Sequence, residues 1–162
     1  MARITGRMIV TAGLVALMLA GCSPVQRRDG SQSTLGMSSS GSHAPSPELR
    51  QLIDKYAREH QVPASLVHRV VQRESRYNPG ARNGPYYGLM QMLPQTAQTM
   101  GYRGAPSGLL DAETNLKYGV KYLRGAWLVA DGNPDRAIQW YSNGYYYEAK
   151  RRGMLRETGL RN

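Results

Sequence analysis

Between Ser23 and Pro47 the chain carries 8 Ser, 3 Gly and 3 Pro in 25 residues, with no aromatic side chain and no apolar periodicity. A stretch of this kind cannot bury enough apolar surface to offset the entropy lost on ordering it. It divides the 162 residues into a short leading segment and one foldable stretch from residue 47 onward, which is long enough for a single domain. As a flexible coil the tract would reach roughly 25 to 30 Å, the span of a tether.

The leading segment has two arginines, Arg3 and Arg7, then an apolar run from Met8 to Ala20, then Gly21 and Cys22. Thirteen apolar residues are too few to span a bilayer as a helix, and they lack the polar face of an amphipathic core helix. They fit the hydrophobic region of a bacterial export signal. Leu19-Ala20-Gly21-Cys22 resembles the lipobox of bacterial lipoproteins. The resemblance implies cleavage before Cys22, acylation of its thiol and, with Ser23 rather than Asp next in line, sorting to the outer membrane facing the periplasm. The expected organisation is therefore a signal peptide over 1–21, a tether over 22–46 and a domain over 47–162. Cys22 is the only cysteine, so no intramolecular disulfide can form. One Cys and three scattered His make no ligand set of recognised spacing, and neither a metal nor another cofactor is expected.

Helical spacing runs through the foldable stretch. Ser46-Pro47-Glu48 sets a capping residue before a proline at the first helical position, and Leu49, Leu52, Ile53, Tyr56 and Ala57 continue as one stripe, which predicts a helix over 47–60. Pro63 starts a second, with Leu66, Val67, Val70 and Val71 on one face, ending near Ser75 before Asn78-Pro79-Gly80. A short helix is predicted from Leu93 to Met100, stopped by Gly101, and a long one from Asp111 to the break at Asp131-Gly132-Asn133-Pro134. Pro134 to Ser142 and Tyr145 to Arg152 complete the set. No segment alternates like a strand over more than a few residues, so the fold class is mainly α. The long loop from Tyr77 to Tyr87 is the expected carrier of a site.

Lys and Arg number 21 against 11 Asp and Glu, a formal charge of +10 that falls to +8 when Arg3 and Arg7 leave with the signal. The surface should attract an anionic partner. Export and the lack of any nucleic-acid motif argue against nucleic acid. The aromatics are 11 Tyr and 2 Trp with no Phe, so each has a hydrogen-bonding tip and suits a wet groove as well as a core.

Glu74 lies four residues after Val70 and three after Val71, on the apolar face of the second helix. Burial there disfavours the charged form, which is how a glutamic acid stays protonated near neutral pH and serves as a general acid. Around it, Glu74-Ser75-Arg76-Tyr77-Asn78-Pro79, then Gly88-Leu89-Met90-Gln91, then Asn115 with Gly119, Tyr122 and Leu123, then Tyr141-Ser142-Asn143-Gly144 resemble, in order and spacing, the motifs of lytic transglycosylases with a lysozyme-like domain. In the fourth motif the family usually has Tyr-Asn-Ala-Gly, so Ser142 and Asn143 depart from the pattern. Apart from the resemblance, Gly88 lets the backbone approach a ligand or pack closely, Gln91 offers a donor and an acceptor to an acetamido sugar, and Met90 offers a soft apolar wall.

The resemblance implies a lysozyme-like helical fold, Glu74 as the sole catalytic carboxylate, and substrate-binding roles for Ser75, Gly88, Met90, Gln91, Tyr141 and Asn143, with the Tyr141 hydroxyl presented toward Glu74. It implies non-hydrolytic cleavage of the β-1,4 bond between N-acetylmuramic acid and N-acetylglucosamine in peptidoglycan glycan strands, leaving 1,6-anhydro ends. No acidic residue occurs between Glu74 and Asp111, in keeping with one carboxylate, although Asp111 or Glu113 folding back would supply a second. A hydrolytic muramidase and a non-catalytic peptidoglycan-binding lipoprotein stay open as alternatives.

Overall fold

The computed structural model describes residues 44–161. The segment expected to be an export signal, Cys22 and the expected tether up to residue 43 lie outside the described residues. The order of elements is α1 (Pro47–Glu59), α2 (Ala64–Ser75), β1 (Arg82–Asn83), β2 (Tyr86–Tyr87), α3 (Pro94–Thr99), a 3-10 turn (Pro106–Leu110), α4 (Ala112–Val129), α5 (Pro134–Asn143) and α6 (Tyr146–Arg151).

Helix starts follow the capping chemistry. The Ser46 hydroxyl accepts from the Leu49 N–H at 3.2 Å, Asp111 accepts from Thr114 N–H at 2.8 Å, and Asn133 accepts from Arg136 N–H at 3.0 Å. In α1 and α5 a proline follows the cap at the first helical position, where its missing N–H costs no hydrogen bond. Helices of this length do not hold alone in water, so their stability comes from the faces they bury. Leu49, Ile53, Tyr56 and Ala57 of α1 and Leu66, Val67, Val70 and Val71 of α2 enter one core.

The centre of that core is α4, which packs against α1, α3, α5 and the 3-10 turn. A helix with so many neighbours needs more than one apolar stripe, and α4 buries Leu116, Val120, Leu123, Ala126 and Val129. It also needs places where neighbours come close. A Cβ at Gly119 would lie 2.5 Å from the Met90 sulfur, and one at Gly125 would lie 2.2 Å from the Tyr145 hydroxyl. Tyr145 is buried on that glycine and donates to the Tyr122 carbonyl at 2.9 Å, so the last helix docks by its first aromatic, while Tyr147 stays 84% exposed.

Two elements escape the helical reading of the sequence. The loop after α2 holds a hairpin, β1 pairing antiparallel with β2 in the register Arg82–Tyr87 and Asn83–Tyr86, closed by Gly84-Pro85. Strands of two residues are too short to show alternation. The 3-10 turn at Pro106–Leu110 has one buried side chain, Leu109, and no periodic pattern.

Candidate active site

Helix α2 ends where Arg76 and Tyr77 both take left-handed backbone conformations, at φ of 52° and 63°. The reversal leaves Glu74 in the last turn, its side chain 21% exposed, at the floor of an open groove. A first cavity of about 420 Å³ is lined by Arg73, Glu74, Asn83, Tyr86, Gln91, Tyr141 and Ser142. A second of about 280 Å³ shares Tyr86, Gln91, Tyr141 and Ser142 with it and adds Met92, Leu93, Thr96, Tyr122, Asn143 and Gly144. One bank is therefore the hairpin and the turn that follows it; the other is the C-terminal end of α5.

Burial raises the Glu74 carboxyl above its ordinary value, against the opposing pull of the Arg73 guanidinium, whose Nε is 3.2 Å from Glu74 Oε1. Glu74 is the sole carboxylate among the residues lining the two cavities. Asp111 and Glu113 do not fold back to it. Asp111 caps α4, and Glu113 accepts from Lys55 at 2.6 Å and from the Tyr56 hydroxyl at 3.0 Å.

The Gly88-to-Gln91 stretch is a tight turn closed by a bridge, Tyr87 and Met92 exchanging backbone hydrogen bonds of 3.1 and 2.9 Å. Gly88 and Gln91 both have positive φ, 74° and 47°. At Gly88 a Cβ would lie 2.3 Å from the Leu109 carbonyl and 2.4 Å from the Asn115 amide nitrogen, so only glycine fits. Its absent side chain makes room for Asn115, and Gly88 is not among the residues lining the two cavities. Asn115, fully buried, accepts from Met90 N–H at 2.8 Å and donates to the carbonyls of Tyr87 at 2.8 Å and Leu109 at 2.7 Å. It pins the turn to α4.

Met90 also stands apart from the groove. Its side chain is fully buried against Gly119 and lines neither cavity, because the turn that aims Gln91 at the groove aims Met90 at the core. Its carbonyl matters more than its thioether: the Tyr141 hydroxyl donates to it at 2.7 Å. Tyr141 thus lines the groove with its ring while its proton is committed to the backbone opposite, rather than to Glu74. Burial first, then the charge of Glu74, push its phenol well above the ordinary range, so it remains a donor. Ser75 likewise turns inward, its hydroxyl donating to the Val71 carbonyl at 3.1 Å, and it is absent from the lining of both cavities.

Gln91 and Asn143 do line the groove. The Gln91 amide nitrogen donates to the carbonyls of Gly88 at 2.9 Å and Ala81 at 3.2 Å, which leaves its oxygen as the acceptor for a ligand N–H or O–H. Arg73, Asn83, Tyr86, Thr96 and Tyr122 belong to the lining too and were not anticipated there. Tyr86 and Asn83 fall inside the loop expected to carry a site, and the Gly84-Pro85 pair between them was the available signal for a turn. Tyr122 stacks edge-on to Tyr141 with ring centroids 5.4 Å apart.

Among proteins of known function, the chain is 36% identical over 95 residues to the membrane-bound lytic murein transglycosylase F of Shewanella woodyi, covering 54% of this chain and 19% of that protein. It is 33% identical over 81 residues to the soluble lytic murein transglycosylase of Escherichia coli K12, covering 45% and 12%. The chain thus spans less than a fifth of the length of either relative. Among solved structures, the 70-kDa soluble lytic transglycosylase of Escherichia coli superposes with a TM-score of 0.56 at 26% identity over 67% of this chain and 18% of that one, as does a complex of the 70-kDa enzyme with bulgecin A. The helical, lysozyme-like architecture is shared with them. Residues 51–154 match the family described as "Transglycosylase SLT domain", more than half of the sequence and the whole of both banks of the groove, and the chain belongs to that family.

Proposed function

We propose that this protein is a lytic transglycosylase that cleaves the bond between N-acetylmuramic acid and N-acetylglucosamine in peptidoglycan, with Glu74 as its single acid and base. The observation that carries the reading is a half-buried glutamic acid, its carboxyl raised above the ordinary value by burial, with no other carboxylate among the described residues that line the groove. Glycosidases of the usual kind place two carboxyl groups across the bond, and substrate-assisted ones replace the second with a group of the sugar. In the proposed course Glu74 protonates the glycosidic oxygen as the bond to C1 breaks. The sugar's own acetamido oxygen stabilises the positive C1. The Glu74 carboxylate then takes the proton of the C6 hydroxyl, whose oxygen closes on C1 to give a 1,6-anhydro ring. The proton given is the proton regained, and no water is consumed.

Gln91, Tyr86, Asn83 and Asn143 offer polar edges for acetamido and hydroxyl groups along the groove, and the excess of basic residues suits a glycan bearing carboxylates. Mass spectrometry of fragments released from isolated sacculi tests the product. Anhydro ends, one water lighter than reducing ends and inert to borohydride, are expected in the great majority. A majority of reducing ends would make the protein a muramidase, and sacculus binding without fragments would make it a binding protein.

The same reading extends to location. Acylation at Cys22, supported by the lipobox-like Leu19-Ala20-Gly21-Cys22, would tie the domain over 47–162 to the outer membrane through the tether over 22–46. Several acyl chains on one cysteine meet the need for more than one anchoring signal. Cell fractionation of Cys22→Ala is expected to move the protein out of the membrane pool; equal retention would overturn the lipoprotein reading.

A further inference from the structure

Arg73 is the one cationic side chain among the residues lining the two cavities. Its chain runs across the end of α2 to α5, with Nε against Glu74 Oε1 at 3.2 Å and a terminal nitrogen donating to the Ser142 hydroxyl. Ser142 gives its own proton to the Ile138 carbonyl at 3.0 Å, so a lone pair of its oxygen is turned to the guanidinium. A short hydroxyl at position 142 thus sits between the α5 backbone and the tip of the arginine. The side chain of Arg73 is nonetheless 48% exposed, and its pair with a neighbouring carboxylate at such a surface is weak enough to be exchanged.

A planar guanidinium at the wall of a groove fits one class of ligand group best, a carboxylate held by two parallel hydrogen bonds. We infer that Arg73, aimed by Ser142, is a specificity-determining residue that takes up a carboxylate of the muramyl side of the substrate and leaves Glu74 in doing so. The inference rests on Glu74 being the acid. Two sources present this chemistry: the lactyl carboxylate of muramic acid, free where a strand has lost its peptide, and the acidic groups of the stem peptide. A glycan of N-acetylglucosamine alone presents neither.

The exchange links recognition to proton transfer. While Arg73 lies against Glu74 it favours the carboxylate; once it is paired with the substrate, burial acts on Glu74 unopposed and the carboxyl takes a proton from solvent. Besides Arg73, the first cavity around Glu74 is lined by Tyr141 from α5, whose phenol is pushed well above the ordinary range by burial and by the charge of Glu74, by Tyr86 from β2, and by the uncharged Asn83, Gln91 and Ser142.

The test is steady-state kinetics of the full chain on three soluble glycan strands: peptide-bearing, stripped with free lactyl carboxylates, and stripped with those carboxylates converted to neutral amides. Arg73→Gln is expected to raise KM about ten- to a hundredfold more on strands bearing the recognised carboxylate than on the amidated strand. Arg73→Lys should recover part of the loss, and Ser142→Ala should fall between the parent and Arg73→Gln. Loss on the stripped strand names the lactyl group; loss confined to the peptide-bearing strand names the stem peptide. In the parent the alkaline limb of kcat, which reports the bound complex, should lie at higher pH than that of kcat/KM, which reports the free enzyme. In Arg73→Gln the two limbs should coincide. Equal loss on all three strands, no loss on any, or coincident limbs in the parent would overturn the inference. Glu74→Gln run alongside separates the two levels: full activity there removes the acid on which the inference rests, whereas an inactive Glu74→Gln with no discrimination by Arg73 removes the inference alone.

Discussion

Glu74→Gln should abolish cleavage of sacculi, lowering the rate by about 10² to 10⁴, while the protein still folds and still binds glycan. The amide keeps the shape of the carboxyl and loses the transferable proton. Stability separates this outcome from simple unfolding. Burial holds the Glu74 carboxyl above its ordinary value, so ionising it in the folded state costs stability. That cost is present above the folded pKa and disappears as pH falls below the unfolded value. The glutamine carries no such cost, and at pH 7 the variant should unfold at a urea concentration no lower than the parent. A Gln variant that cleaves at the parental rate would move the chemistry to another residue.

Asn115→Ala should be the most damaging single change in the core. The side chain holds the Met90 N–H and the carbonyls of Tyr87 and Leu109. Tyr87 O keeps a second partner in the Met92 N–H, but the Met90 donor and the Leu109 acceptor would be left buried without one. Two stranded groups at about 1–3 kcal/mol each give roughly 2–6 kcal/mol, a lowering of the urea midpoint by about 1 M or more. Asn115→Asp should not rescue it, because a carboxylate oxygen would replace the amide donor that faces the two carbonyls. An unchanged midpoint would show that the turn holds without α4.

The helices were legible from punctuation and stripes: Ser46-Pro47 at the first start, the break at Asp131-Gly132-Asn133-Pro134, and Val70 and Val71 or Leu116 and Leu123 on the buried faces. Glu74 was legible for the same reason, since its place relative to Val70 and Val71 follows from helical geometry alone. The Gly88-to-Gln91 turn was not. Its residue types show that backbone freedom and amide chemistry are required, but which side chain faces the groove depends on the positive φ of Gly88 and Gln91 and on the bridge from Tyr87 to Met92. Those features put Met90 in the core and Gln91 in the cavity, and both had been expected to touch sugar. Arg73 was hidden by its spacing. A residue beside Glu74 on a helix points about 100° away from it, and only a side chain as long as arginine, at a helix end, returns across the site. Ser75 shows the converse: next to the acid in sequence, its hydroxyl is turned back on its own helix.

The Tyr141–Met90 hydrogen bond joins α5 to the turn on the opposite bank beneath the groove. Because both partners are buried, breaking it would strand a phenol and a carbonyl away from water. The bond therefore ties the two banks together, and under the proposed function the slot would be preassembled before a glycan arrives. Contacts to sugars distant from the cleaved bond are then not consumed in ordering the protein. Under the proposed reaction they would remain available to bend the ring beside Glu74 toward the flattened shape of an oxocarbenium ion, where binding lowers the barrier rather than the ground state.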